Sequence, residues 1–262
     1  MKLLILILIS GRNNMLKGKV AIITGSSRGI GKSVAKLYLE NNAKVAICGS
    51  TKENALKTVN EFIELGFDKE NIIALGIDFT NIESIKSSVN EVINKWNKID
   101  ILVNNAGITS NESLLDLTDD KLEQIYNVNV FGLIKMTREV VNHMKDTGGS
   151  IINTSSMVGI NGGIHQLAYA SSKSAVNGIT ISLAKELGIY NIRVNAVSPG
   201  VVNTDMMQNA VNEQMKERLS SMTPLKRMAS VDELAGAYLY LASDKASFTT
   251  GTIIKVDGGL LM

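Results

Sequence analysis

The chain has one cysteine, two prolines, two histidines and one tryptophan in 262 residues. A single cysteine excludes an internal disulfide framework, and the isolated His143 and His165 add no metal-ligand cluster, so no metal is expected. Cys48 closes the apolar run Val45-Ala46-Ile47-Cys48 and reads as a buried small hydrophobe. No proline-rich linker, internal repeat or low-complexity tract divides the sequence. Lys and Arg number 27 against 25 Asp and Glu, a net charge of +2 spread along the chain. Without a basic block, nothing points to nucleic acid. The N-terminal apolar run Leu3 to Ile9 is far too short to cross a bilayer, so no membrane partner is expected. It follows Lys2, and no small-x-small cleavage site follows it in Ser10-Gly11-Arg12-Asn13-Asn14. Met15-Leu16-Lys17-Gly18-Lys19 then leads directly into a strand pattern. Residues 1–14 are therefore expected outside the fold, with one domain over 15–262 and a cytoplasmic location rather than secretion.

At 45% hydrophobic and 20% charged residues, the composition is that of a globular protein with a large core. Short β-branched runs alternate with longer helical patterns. The strand candidates are Val20–Thr24, Lys44–Cys48, Ile72–Leu75, Ile101–Asn104, Ser150–Thr154, Arg193–Ser198 and Thr252–Val256. Helix-period segments lie between them at Ile30–Glu40, Glu53–Leu65, Ile82–Lys95, Lys121–Met144, Ala170–Leu187 and Val231–Leu241. Apolar strands separated by helices imply an α/β domain, a doubly wound parallel sheet of about seven strands that binds ligands at the strands' carboxyl ends. The methionine-rich stretch from Asn203 to Ser230, with Met206, Met207, Met215 and Met222, is read as a mobile lid over a substrate or as a helix pair lying on the body.

Thr24-Gly25-Ser26-Ser27-Arg28-Gly29-Ile30-Gly31 joins the first strand to the first helix. Glycines there permit a tight turn and close approach of a pyrophosphate, which the helix N-terminus attracts. At the end of the second strand, Gly49-Ser50-Thr51-Lys52 has no carboxylate to bond the ribose hydroxyls of NAD, while Arg28 is placed to meet a 2′-phosphate. NADP(H) is thus expected over NAD(H). Asp78, followed by Phe79, either accepts from an adenine amino group or caps the next helix with Thr80 or Asn81.

Tyr169-Ala170-Ser171-Ser172-Lys173 places a tyrosine and a lysine one helical turn apart, with Ser156 upstream. A phenol titrates near ~10, and a neighbouring ammonium is expected to lower that value enough for proton transfer near neutrality.

These residues, with Asn104-Asn105-Ala106-Gly107, Asn129 and Pro199-Gly200, resemble the short-chain dehydrogenase/reductase superfamily from about Lys19 to Met262. The resemblance implies a Rossmann-like fold that transfers hydride between a nicotinamide and a ketone or secondary alcohol. It implies Tyr169 as general acid/base, Lys173 as its partner and ribose ligand, Ser156 orienting the substrate oxygen, and Asn129 anchoring a water that links Lys173 to solvent. Ser155, adjacent to Ser156, is expected to face the opposite way. Cofactor contacts are implied at Gly25, Ser27, Arg28, Gly29, Ile30, Gly31, Ser50, Thr51, Asp78, Phe79, Asn105, Ala106, Gly107, Tyr169, Lys173, Pro199, Gly200, Val202 and Thr204. Two branches are similar: the bile-acid hydroxysteroid dehydrogenases, through Asn105–Asn111, Pro199–Met206 and Pro224–Met228, and the 3-oxoacyl-carrier-protein reductases, through length and the ending Val256-Asp257-Gly258-Gly259. Asp146–Gly149 and Gly188–Asn191 lack the arginines expected for docking an acidic carrier protein, with Lys145 and Arg193 offset. A small or medium apolar ketone or alcohol, such as a hydroxysteroid, is the expected small-molecule substrate. Non-enzymatic members usually lose the tyrosine or lysine, and this chain keeps both. Family members commonly form homotetramers through the helices at Lys121–Met144 and Ala170–Leu187 and the last strand.

Overall fold

Val20-Ala21-Ile22-Ile23 is apolar at every position, and such a strand needs cover on both faces. It forms β1 (Val20–Ile23) near the middle of a seven-stranded parallel sheet, ordered β3-β2-β1-β4-β5-β6-β7. The computed structural model describes residues 14–204, 207–208 and 212–260. The remaining strands are β2 (Lys44–Gly49), β3 (Ile72–Gly76), β4 (Ile101–Asn104), β5 (Gly149–Thr154), β6 (Ile192–Pro199) and β7 (Ile253–Val256). The helices are α1 (Gly29–Glu40), α2 (Lys52–Glu64), α3 (Ile82–Trp96), α4 (Asp119–Tyr126), α5 (Leu133–Met144), α6 (Val158–Asn161), α7 (Leu167–Leu187), α8 (Glu213–Met222) and α9 (Val231–Ala242).

Strand alternation divides the core into two layers. Ala21, Ile23, Val45, Ile47 and Val103 meet Val34, Tyr38, Phe62, Tyr238 and Leu241 from α1, α2 and α9. Val20, Ile22, Ala46, Leu102 and Ile151 meet Val89, Met136 and Leu187 from α3, α5 and α7. Each fully buried aliphatic side chain contributes about 1.5–3 kcal/mol, so these layers carry most of the favourable folding energy. Cys48 lies in the second layer as expected, and burial pushes its thiol well above the ordinary range. β1 pairs with β2 on one side and β4 on the other, so the winding reverses there and opens a crevice at the carboxyl ends of the strands.

The strands and most helices match the sequence expectation to within a residue or two at their ends. The continuous helix expected over Lys121–Met144 is a difference: α4 gives way to a π turn over Asn127–Gly132 before α5 begins. Close packing accompanies the irregularity, because a Cβ on Gly132 would lie 2.6 Å from Phe79 Cβ. α7 begins at Leu167 rather than Ala170, which places Tyr169 in its first turn. Within the 203–230 stretch, Asn212 caps α8 by accepting from the Met215 N–H, and Ala229 bridges to Val202 just before it. Met206 and residues 1–13 lie outside the described residues, so the expected extension does too, apart from Asn14. Among the described residues no helix is long and apolar enough to cross a membrane, and none form a His/Cys/Asp/Glu group able to hold a metal.

Candidate active site

The turn after β1 is fixed by a few hydrogen bonds. Buried Thr24 accepts at Oγ1 from the Asn105 and Ala106 N–H groups, at 2.9 and 3.0 Å. Asn105 Nδ2 returns bonds to the Thr24 and Gly25 carbonyls, both at 3.1 Å. Gly31 leaves room for this clasp, since a Cβ there would stand 2.5 Å from Asn105 Nδ2 and from the Gly25 oxygen. Gly29 adopts φ +57° and faces open space, its nearest neighbour being Thr204 Cγ2 at 3.9 Å from where a Cβ would stand. Arg28 caps α1 with extended backbone and no side-chain cap bond, so side chains leave the helix's first N–H groups unclaimed. These features fit a pyrophosphate: an open glycine cradle at a helix N-terminus, with Thr204 across from it. Ile30 is half-buried at the start of α1.

Around this turn, the expected contacts divide into exposed and engaged groups. Arg28, Ser50 and Thr51 are exposed, and the Arg28 guanidinium has no partner among the described residues. Thr51 caps α2 by accepting from the Asn54 N–H at 3.3 Å, and Ser50 accepts from Asn54 Nδ2 at 3.5 Å. The Ser27 carbonyl accepts from Thr58 Oγ1 at 2.9 Å. Asp78 Oδ1 accepts from the Thr80 N–H and hydroxyl, at 2.9 and 2.7 Å, which holds its carboxyl below the usual range. Capping of α3 falls to Asn81, and Phe79 packs on Gly132. The Pro199 carbonyl accepts from the Met157 N–H at 2.9 Å, and Gly200 donates to Val256 at 3.0 Å.

The second cluster comes from β4, β5, α7 and the π turn. Ser156 lies near enough to Tyr169 to draw its phenol down and accepts from the Val158 N–H at 3.4 Å, while Ser155 turns the other way and donates to the Lys173 carbonyl at 3.3 Å. Lys173 is 4% exposed; its Nζ donates to the Thr154 carbonyl at 2.8 Å and lies 5.8 Å from the centre of the Tyr169 ring. Asn129 is 1% exposed, exchanges both amide bonds with the Ile108 backbone at 2.9 Å, and donates to Ser172 Oγ at 3.0 Å. A Cβ on Gly107 would be 3.2 Å from Asn129 Oδ1 and 3.4 Å from Lys173 Nζ. Asn129 and Lys173 therefore meet beside Gly107, whose bare backbone leaves room for them, and Lys173 connects this point to Tyr169 and Ser156.

The electrostatics differ from the sequence expectation. Burial pushes the Tyr169 phenol above its ordinary value, and Ser156 pulls it back only in part. The Lys173 ammonium does not reverse this, being directed at the Thr154 carbonyl and itself lowered by burial to about 8. In this structure both groups are pushed toward their neutral forms. His165 is exposed and lines a cavity of about 460 Å³ with Glu112, Leu114, Val158, Leu167 and Ala170. Tyr169 does not line that cavity, which meets α7 on another face.

Sequence reasoning missed Thr154, Tyr238 and Ser172. Thr154 Oγ1 lies 2.8 Å from the Tyr238 hydroxyl and donates to Asn105 Oδ1 at 3.5 Å. A threonine at a strand end and a tyrosine in an apolar helix both read as ordinary core, so no local pattern marks them.

The family described as Enoyl-(Acyl carrier protein) reductase matches residues 25–261. The chain is 41% identical to a 3alpha-hydroxysteroid dehydrogenase of Mediterraneibacter gnavus, covering 93% of this chain and 97% of that protein. It is 40% identical to a 3-oxoacyl-(acyl-carrier-protein) reductase of Thermotoga maritima, covering 94% and 99%. Among solved structures it is similar to a 7 alpha-hydroxysteroid dehydrogenase complexed with NADH and 7-oxo glycochenodeoxycholic acid, with TM-score 0.89, 33% identity and coverage of 95% and 96%.

Proposed function

From membership of the short-chain dehydrogenase/reductase family, to which this chain belongs as an oxidoreductase, we propose that it interconverts a ketone and a secondary alcohol on an apolar small molecule of the hydroxysteroid kind. The observation that carries this reading is the meeting of buried Lys173 and Asn129 beside Gly107, with half-buried Tyr169 next to Lys173 and Ser156. A nicotinamide dinucleotide held at the glycine turn supplies the hydride and, when oxidised, a positively charged ring. Ser156 orients the substrate oxygen. Tyr169 delivers a proton to that oxygen in reduction and withdraws one in oxidation, which prevents accumulation of an alkoxide. Lys173 has three N–H donors and uses one on Thr154, leaving donors for ribose hydroxyls. Asn129 holds the Ile108 loop beside Lys173, where a bound water would relay the proton outward.

NADP(H) is the proposed cofactor over NAD(H). Support comes from exposed Ser50 and Thr51, from Arg28, whose guanidinium has no partner among the described residues, and from a Gly49–Lys52 stretch without an acid. The substrate reading draws support from the two hydroxysteroid dehydrogenases among the relatives. A second reading, reduction of 3-oxoacyl groups on a carrier protein, is favoured by the 40% identical reductase. Against it, Arg193 is directed inward to the carbonyls of Leu241, Ser243 and Thr249 rather than offered to an acidic partner. We place the enzyme in the cytoplasm, read residues 15–262 as its one domain and the 203–230 stretch as its lid, and assign a homotetramer. Exposed apolar residues on the π turn, α5 and α7 (Phe131, Ile134 and Ile181) and Phe248 near edge strand β7 support the assembly. The test is a spectrophotometric screen with NADPH and NADH against 3-oxo and 7-oxo bile acids, acetoacetyl thioesters and diketones. Turnover of an oxo bile acid with NADPH is the expected result. Faster turnover with NADH overturns the cofactor assignment, and preference for carrier-protein thioesters overturns the substrate assignment.

A further inference from the structure

Tyr238 is fully buried on α9, the helix that follows the 203–230 stretch. The direction of its bond to Thr154 follows from Asn105. Asn105 turns its Nδ2 to two carbonyls, so the end facing Thr154 is its amide oxygen, which only accepts. With the Thr154 hydroxyl proton directed at Asn105 over a long 3.5 Å contact, Thr154 accepts from Tyr238 at 2.8 Å. The donors run one way, from the Tyr238 phenol through Thr154 and Asn105 to the Thr24 and Gly25 carbonyls that shape the glycine turn. The main-chain carbonyl of the same Thr154 receives Lys173 Nζ. α9 is also tied to α1, by Ser33 Oγ donating to Asp232 Oδ1 at 2.5 Å and by the Tyr38 hydroxyl donating to the Tyr238 carbonyl at 2.9 Å. Tyr238 thus acts from a helix braced against the one that opens at the phosphate turn.

We propose that Tyr238 is a positioning residue: by donating to Thr154 it fixes the Asn105 clasp and the carbonyl that seats Lys173, and through them sets affinity for the dinucleotide. The proposal rests on the nucleotide-binding reading of the crevice, and Tyr238 itself touches no reacting atom. Without its phenol, Thr154 Oγ1 is a buried acceptor lacking a donor, and the strand end is free to settle elsewhere. Loss of one neutral bond of this kind corresponds to about a 3- to 10-fold change in an equilibrium constant.

The test measures fluorescence titrations with NADPH and NADH, alongside thermal midpoints, for wild type, Tyr238→Phe, Thr154→Ser, Thr154→Val and the Tyr238→Phe/Thr154→Val double variant. The expected result is a dissociation constant raised about 3- to 10-fold in Tyr238→Phe, at least as much in Thr154→Val, and no further in the double variant. Thr154→Ser, which keeps the hydroxyl, is expected to match wild type. If Tyr238→Phe does not fold, the Ser and Val variants of Thr154 carry the comparison. Hydrogen exchange of the Asn105 and Ala106 amides in nucleotide-free protein gives a second readout, with faster exchange expected in Tyr238→Phe. A lower melting temperature with unchanged dissociation constants and unchanged exchange would overturn the proposal, as would additive effects in the double variant. Failure of the wild type to bind either dinucleotide would instead sink the reading of the crevice, and the exchange measurement would still judge the role of Tyr238.

Discussion

The two ends of the crevice are built in opposite ways. Around Tyr169, the side chains of Lys173, Asn129, Ser155, Thr154 and Tyr238 are all buried and bonded to one another or to backbone. At the end of β2, Ser50 and Thr51 are exposed, as is Arg28, whose side chain bonds to nothing described. Packing dictates the first end, where any change leaves a polar group stranded in the core. Only charge and reach dictate the second, where a change costs the fold little. On the proposed function, the chemistry is tied to the fold, whereas the choice of cofactor is separable from it.

The sharpest way to break that contrast is Tyr169→Phe. Removing the proposed acid/base group is expected to lower kcat by about 10²- to 10⁴-fold, with dinucleotide affinity and melting temperature near wild type. Steady-state kinetics and titration on the same preparations check it. Activity within a few-fold of wild type would show that the buried end does not carry the chemistry.

Lys173→Met tests the burial itself. In the nucleotide-free protein the lysine is lowered to about 8 from an ordinary 10.5. Between those values the unfolded chain binds the additional proton, so stability rises with pH across that window. Below about pH 8 the cost of the buried ammonium is fully present, on the order of 3 kcal/mol. Cys48, Tyr38, Tyr169 and Tyr238, all pushed upward by burial, act in the opposite direction at alkaline pH. They cancel when wild type is compared with Lys173→Met in denaturant titrations. The variant's advantage at pH 7 should shrink steadily toward pH 10.5, and a constant difference would refute the burial argument.

The smallest effect belongs to the exposed end. Ser50→Asp adds a carboxylate where a 2′-phosphate is expected, and should shift the NADPH-to-NADH ratio of kcat/KM toward NADH by about 5- to 10-fold, with unchanged melting temperature. No shift would mean that Ser50 does not face the ribose.

The same contrast explains what was legible in the sequence. β1 and most of β2, β3 and β4 are covered on both faces and showed as apolar runs, β5, β6 and β7 showed through their β-branched residues, and the glycine turn showed because backbone needs are written in residue type. Tyr169, Lys173, Ser156 and Asn129 stood out because spacing and a family resemblance marked them, and their roles belong to the proposal. The π turn was not legible, since the helical period runs through Lys121–Met144 without a break, and the close packing that accompanies it, Phe79 against Gly132, joins distant residues. The Thr154–Tyr238 bond joins residues 84 positions apart. Nor was the raised phenol: spacing shows that Tyr169 and Lys173 share a helix face, but not how deeply both are sunk or that Thr154 draws the ammonium away.

The most direct test is a titration of the Tyr169 phenol, by ultraviolet difference spectroscopy with Tyr169→Phe as the blank, in the free protein and with oxidised dinucleotide bound. The account predicts a value above 10 in the free protein, where burial dominates, and a fall toward neutrality once the cationic ring is in place. A phenol that titrates at the same pH in both states would contradict it.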